Sequence, residues 1–240
     1  MAESTQHSGG NNGTLEQGIT GDYDFNIGDV LSEGWRLTDG AKGTLLAIVL
    51  ITCVILGAVQ WILDEAGMDA EHHLNEGRLF YWLILTVGSV LISTPFHAVL
   101  AVGVQMTGIA RARGQSISVG DLFQATGLTI PLTILTLIAS VVTGIGYLLL
   151  ILPGIYLTLA YCMAGPLMVE HNLAPWEALE ASRKAVTHHW FKIFFLGLIL
   201  VVIVLLSAIP AFIGLIWTLP LATTTSGVLY RTMFGAREGH

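Results

Sequence analysis

The sequence predicts an all-α polytopic membrane protein with six transmembrane helices and three interfacial amphipathic helices, and three observations carry that prediction. The run from Leu122 to Val169 contains no Asp, Glu, Lys, Arg or His. As one helix it would reach roughly 72 Å, against a hydrocarbon core of about 30 Å, so it must fold back once. Hydrophobic residues make up 53% of the chain and charged residues only 11%, a deficit that a soluble core does not explain. Finally, Arg36, Lys42, Arg111, Arg113, Arg183, Lys184, Lys192, Arg231 and Arg237 fall on one side of a six-span topology, and only Arg78 falls on the other. That bias places both termini in the cytoplasm.

Met1 to Asp24 is rich in Gly, Asn, Ser and Thr and reads as a disordered tail, with too little apolar surface to offset ordering. It lacks the basic-then-apolar pattern of a cleavable signal, so the first span is expected to direct insertion. Residues 25–234 form the membrane domain, in units of about 25–114, 115–172 and 173–234, and 235–240 form a short cytoplasmic tail.

Within the first unit, Asn26 to Thr38 reads as an amphipathic helix capped by Asn26. Ile27, Val30, Leu31, Gly34 and Trp35 recur at helical spacing, with Asp29, Glu33 and Arg36 elsewhere on the wheel. The helix either lies in the membrane interface or extends into water. Gly43 to Leu63 is the first span. An acidic loop, Asp64 to Arg78, precedes a long apolar stretch from Leu79 to Ala110, which should tilt, protrude or kink near Pro95.

Ser118-Val119-Gly120-Asp121-Leu122-Phe123 repeats Asn26-Ile27-Gly28-Asp29-Val30-Leu31, and Ala174-Pro175-Trp176-Glu177-Ala178-Leu179 is a weaker third copy. Each precedes a pair of spans. The pairs end alike, with a glycine in Met106-Thr107-Gly108-Ile109, Ala164-Gly165-Pro166-Leu167 and Thr225-Ser226-Gly227-Val228. The second hairpin is expected to turn at Thr143-Gly144-Ile145-Gly146, whose glycines suit a tight reversal, and the third at Pro210. Leu173 to Trp190 forms the longest interfacial segment, with Glu177, Glu180, Arg183, Lys184 and His188 on its polar side.

Candidate chemistry is sparse. Asp69, His72, His73 and Glu76 fall at helical spacings that put two imidazoles and two carboxylates on one side, a set suited to zinc; the competing reading is a solvated acidic loop. His97 is the only ionisable side chain deep in an apolar run, and it serves either a functional role or hydrogen-bonded packing near Ser93 and Thr94. Cys53 and Cys162 lie in apolar runs and read as inert buried thiols. No nucleophile and base pair, nucleotide loop or membrane-embedded acid is found, so no cofactor is implied and neither a proton-coupled pump nor an intramembrane hydrolase is favoured. The acidic balance, net charge -7, argues against a nucleic-acid partner.

Around Leu152-Pro153-Gly154-Ile155-Tyr156, Met163 to Glu170 and Ala178 to Arg183, the chain resembles the YciC-like group of bacterial inner-membrane proteins, related to the membrane domain of some glycerophosphodiester phosphodiesterases. The resemblance implies a six-span bundle in the inner membrane with no assigned activity. No phosphodiesterase domain accompanies it, and the loop with His72 and His73 is not part of its pattern. The functional expectation is a non-enzymatic protein that organises membrane lipid, protein partners or further copies of itself. The alternative is a transporter or channel for small solutes or metal ions, in which three pseudo-symmetric hairpins turn Gln60, Gln105 and Gln124 toward a common cavity.

Overall fold

The computed structural model describes residues 14–71, 78–209 and 213–235, and every regular element among them is helical. Among the described residues, five stretches are long and apolar enough to cross a membrane: 42–66, 83–112, 119–149, 151–171 and 190–208. The chain is an all-α protein of multi-pass character.

The first element corrects the sequence reading of a disordered tail. Residues 15–20 form a short helix, α1 (Leu15–Thr20), because Thr14 and Gln17 exchange capping bonds: the Gln17 N–H donates to Thr14 Oγ1 at 3.2 Å and the Thr14 N–H to Gln17 Oε1 at 2.9 Å. Gly18 lets the Phe234 ring approach to where a Cβ would lie 2.5 Å from it. Beyond the helix, the Tyr23 hydroxyl donates to the Ala185 carbonyl at 2.9 Å, and Tyr23 and Phe25 are buried. Residues 1–13 lie outside the described residues.

Helix α2 (Ile27–Thr38) starts as expected, with Asn26 Oδ1 accepting from the Gly28 N–H at 2.8 Å. Its buried stripe of Val30, Gly34 and Thr38 rests against protein, since Gly34 abuts Thr225 and Thr38 Oγ1 lies 3.1 Å from Thr224 Oγ1. Trp35 stays half exposed. Two long helices follow, α3 (Lys42–Glu71) and α4 (Arg78–Ala112), the latter continuing through Pro95.

In place of a second amphipathic α-helix, Ser118 to Leu128 makes two 3₁₀ turns, Val119–Phe123 and Thr126–Leu128. The Ser118 N–H donates to Asp121 Oδ2 at 2.7 Å, as the repeated motif suggested. The turns stay short because Leu122 is wedged against α4. Its carbonyl sits where a Cβ on Gly103 would be 2.0 Å away.

Helix α5 (Thr129–Leu149) runs straight through Thr143-Gly144-Ile145-Gly146, so the turn expected there is displaced. The chain reverses at Leu150, the one extended residue (φ -161°, ψ 150°) between α5 and α6 (Ile151–Ala160). Two physical facts move it. Pro153 falls in the first turn of α6, where a missing N–H does no harm. Gly146 serves helix contact instead: a Cβ there would meet Gly154 Cα at 3.2 Å and the Leu157 side chain at 2.8 Å.

A turn at Tyr161 to Met163 leads to α7 (Ala164–His171), then α8 (Pro175–His188), α9 (Trp190–Ala208) and α10 (Leu215–Phe234). The third reversal falls between Ala208 and Leu215; Pro210 itself lies outside the described residues. Helix α8 is amphipathic as read, with Leu179, Ser182 and Val186 buried, but that face packs on the bundle rather than on lipid. Ser182 Oγ donates to the Ala160 carbonyl at 2.6 Å and accepts from the Met163 N–H at 3.2 Å, which satisfies the backbone freed where α6 gives way to α7.

Helix α10 is the axis of the molecule. It carries Thr218, Thr223, Thr224, Thr225 and Ser226, falls outside the five apolar stretches, and buries Pro220, Leu221, Val228, Leu229, Tyr230, Met233 and Phe234. Gly227 packs against Gly108 of α4, where a Cβ would lie 2.1 Å from the Gly108 carbonyl oxygen. The two helices run in parallel from that contact, which puts Leu215 about level with His97. Helix α4 continues beyond that level by on the order of 27 Å.

Candidate functional site at the charged end of the bundle

The ends of α2, α4, α7 and α10 converge, and there the charged side chains that sequence separation conceals become partners. Arg113, just past α4, forms a two-point ion pair with Glu170 of α7, both oxygens of the carboxylate being engaged. The side chains are 9% and 4% exposed, so the pair is buried and its remaining valences must be met. They are met in part by the Tyr230 hydroxyl, which donates to Glu170 Oε2 at 2.8 Å, and by the Gly235 carbonyl, which accepts from Arg113 at 2.9 Å. The guanidinium also stands 5.8 Å from the centre of the Tyr230 ring.

A second pair is more open. Arg231 of α10 donates to both oxygens of Glu33 on α2 at 2.9 Å and also to the carbonyl that ends α4, at Ala112. Arg111 reaches the last carbonyls of α2, at Leu37 and Asp39, both at 2.9 Å. A cation at a helix C-terminus answers unpaired carbonyls and the helix dipole together. A third tie, Lys192 to Asp24, joins the segment before α2 to the start of α9. The Lys192 ammonium and the Phe25 N–H hold the Asp24 carboxyl below its ordinary range. On α8, Arg183 likewise lowers Glu180, and burial raises the Tyr23 phenol.

Between α2, α9 and α10 these ties frame an open groove of about 680 Å³, flanked by Asp24, Asp29, Glu33 and Lys192. A second, smaller crevice of about 210 Å³ lies between α4, α6, α9 and α10, and Gln105 is on its wall.

The residues singled out by sequence scatter. Gln60 lies exposed on α3 and donates to Asp64 Oδ1 at 2.8 Å. Gln124 is exposed beside the first 3₁₀ turn, so the three glutamines do not line one cavity. His97 is exposed rather than packed, with Nδ1 3.0 Å from the Ser93 carbonyl, although Ser93 and Thr94 one turn away are buried. Cys53 is exposed on α3, a correction to the buried thiol expected, and Cys162 is half-buried. Asp69 falls in α3, while His72, His73 and Glu76 lie outside the described residues; among the described residues no three His, Cys, Asp or Glu side chains gather as a metal set.

Glu170 and Tyr230 were missed as a site. The available signal was a lone acid closing the long charge-free run, which needs a cation wherever it is buried. Comparison with protein-family models, with curated proteins and with solved structures gives no match to this chain.

Proposed function

We propose that this is a non-enzymatic integral protein of the bacterial inner membrane, of the YciC-like kind, that organises lipid or partner proteins from a rigid cytoplasmic platform. In this reading α10 is the sixth span, carried across by protein contacts rather than by its own hydropathy, and the chain comprises three repeated units with both termini cytoplasmic. The observation that carries the reading is the convergence of α2, α4, α7 and α10 through Arg113, Glu170, Tyr230, Arg231 and Glu33. All the basic residues in these ties come from the side that the positive-inside bias makes cytoplasmic.

The repeat gains support from the three terminal glycines. Gly108 and Gly227 contact one another, and a Cβ on Gly165 would lie 2.4 Å from Val102 of α4. Polar groups inside the bundle serve the same end: Thr224 Oγ1 lies 2.9 Å from the Gly34 carbonyl, tying α10 to α2.

The test is reconstitution of the purified chain in vesicles, with lipid order read by probe anisotropy and partners recovered by pulldown from solubilised membranes. Altered lipid order or a recovered partner supports the reading. Unchanged order with no partner refutes it.

A further inference from the structure

The crevice between α4, α6, α9 and α10 opens away from the charged end of the bundle. Fully buried lining lies toward that end: Ile109 on α4, Ile193 next to Lys192 on α9, and Leu229 and Tyr230 on α10. Half-buried lining lies farther off, with Gln105 about one turn before Ile109 and Gly197 and Leu200 about one and two turns beyond Ile193. The space is therefore a blind pocket with Gln105 at its mouth, and in the membrane that mouth faces hydrocarbon.

Direction, size and polarity select the occupant. An inner-leaflet phospholipid has its headgroup at the charged end and its chains leading away, opposite to the way this pocket is entered. Whatever fills it comes head first from the hydrocarbon, and so carries a small uncharged head. An apolar cavity of about 150 Å³ accepts benzene, so this one, at about 210 Å³, admits a six-membered ring with small substituents. Gln105 Oε1 is buried and has no hydrogen-bond partner among the described residues, and an amide left so is costly. Turned about its last torsion, the amide presents that oxygen to the pocket, where a hydroxyl at the mouth can donate to it. Deeper in, Ser226 Oγ gives its proton to the Thr223 carbonyl at 3.1 Å and keeps its lone pairs for a second donor. Ser226 adjoins Gly227, which packs on Gly108, so it stands about 4.5 Å nearer the charged end than Gln105, on the scale of one ring.

We propose that the pocket binds the ring of an isoprenoid quinol, a hydroquinone whose tail is attached beside one hydroxyl. That hydroxyl donates to Gln105 at the mouth, the opposite one donates to Ser226 within, and the tail leaves past Gly197 and Leu200 into the hydrocarbon. The ring thus fills the volume on the charged side of Gln105. A polyprenol or fatty alcohol, whose hydroxyl leads the chain, would carry it past Gln105 to the apolar blind end. The assignment rests on the membrane reading given above and names a lipid-soluble ligand for it.

The mouth can be blocked from within. A Cβ at Gly197 would have only Leu159 Cδ2 near it, at 3.9 Å, so Gly197→Leu adds bulk there without meeting backbone. The experiment uses the full chain in phosphatidylcholine vesicles with a 2-decylhydroquinone carrying a diazirine on its ring, kept reduced by ascorbate, and maps the labelled residues by mass spectrometry. Labelling at Met163, Leu196 and Leu229 is expected to exceed that at the outward-facing Leu198 and Val202. Gly197→Leu should reduce it about tenfold with the melting temperature kept, and Leu200→Trp narrows the same mouth should that variant melt lower. Two isomers of equal lipophilicity read the Gln105 contact: 2-decylphenol, with its hydroxyl beside the tail, should displace the probe about three- to tenfold better than 4-decylphenol, and Gln105→Leu should abolish the difference. Unlabelled 2-decylhydroquinone should exceed 2-decylphenol by a similar factor, which Ser226→Ala should remove. Label spread evenly around α9, or indifferent to both mouth variants, would overturn the site itself. Isomers that compete alike, or displacement by palmitate as readily as by 2-decylphenol, would overturn the quinol assignment. Either failure leaves the anisotropy and pulldown results standing, so the two readings fall separately.

Discussion

Glu170 shows how a single side chain comes to hold three helices. Its carboxylate takes Arg113 from the end of α4 and Tyr230 from α10, and with the side chains nearly water-free neither partner has a substitute. Glu170→Gln leaves the guanidinium buried without its counter-charge and is expected to cost about 3–5 kcal/mol, read as a lowered melting temperature in detergent. Tyr230→Phe removes one charge-assisted bond and should cost about 1.5–3 kcal/mol. Ser182 makes a comparable case in neutral chemistry. Ser182→Ala orphans the buried Met163 N–H and should cost about 1–3 kcal/mol, with the turn at Tyr161 to Met163 gaining hydrogen exchange. None of these pairings was legible in the sequence, where 57 residues separate Arg113 from Glu170. What could be read there was the demand alone: a charge at the end of an apolar run needs a partner.

Among the elements, glycine has two uses, and the sequence does not say which applies. Gly144 and Gly146 were read as a turn because glycine tolerates reversal, yet in a membrane helix it also marks close contact. The two positions now separate. Gly144 has open space where its Cβ would go, so Gly144→Ala should be neutral or stabilise by up to about 1 kcal/mol, whereas a turn glycine would lose stability on the same change. Gly227→Ala would set a methyl group 2.1 Å from the Gly108 carbonyl oxygen and should destabilise by about 1–3 kcal/mol or more, with α10 parting from α4. Thermal melts of the two variants side by side check both. The caps were legible, since Asn26, Ser118 and Ala174 each open a helical turn where the motif placed them. So was the box at Thr14 and Gln17, had the polar composition around it not suggested disorder. The short 3₁₀ form of the second copy was not legible, because it depends on Gly103 admitting the Leu122 carbonyl.

At the level of the whole molecule, the platform is held partly by exposed ion pairs whose carboxyls, Asp24 and Glu180, sit below their ordinary range in the folded protein. A depressed acid contributes stability that is present above its unfolded value, about pH 4, and is lost as pH falls through the folded value. The melting temperature should therefore hold between pH 7 and 5 and drop below about pH 4, and Asp24→Asn with Glu180→Gln should flatten part of that drop. Topology is checked by single cysteines in a Cys53→Ser, Cys162→Ser background. A thiol at Glu65 should react with an impermeant maleimide from outside, and one at Lys184 only after the membrane is opened. The fold class was legible because charge exclusion by lipid is written residue by residue. The ranking of the helices was not, since α10 owes its place to neighbours rather than to its own apolar content. That ranking leaves α9 and α10 ending near the level of His97 while α4 climbs on the order of 27 Å further. The rim of the molecule is therefore uneven, low on one flank and tall on the other. In the membrane reading proposed above, lipids that wet both flanks would compress beside the low one and stretch or tilt beside the tall one, at a fraction of a kcal/mol per ångström of mismatch.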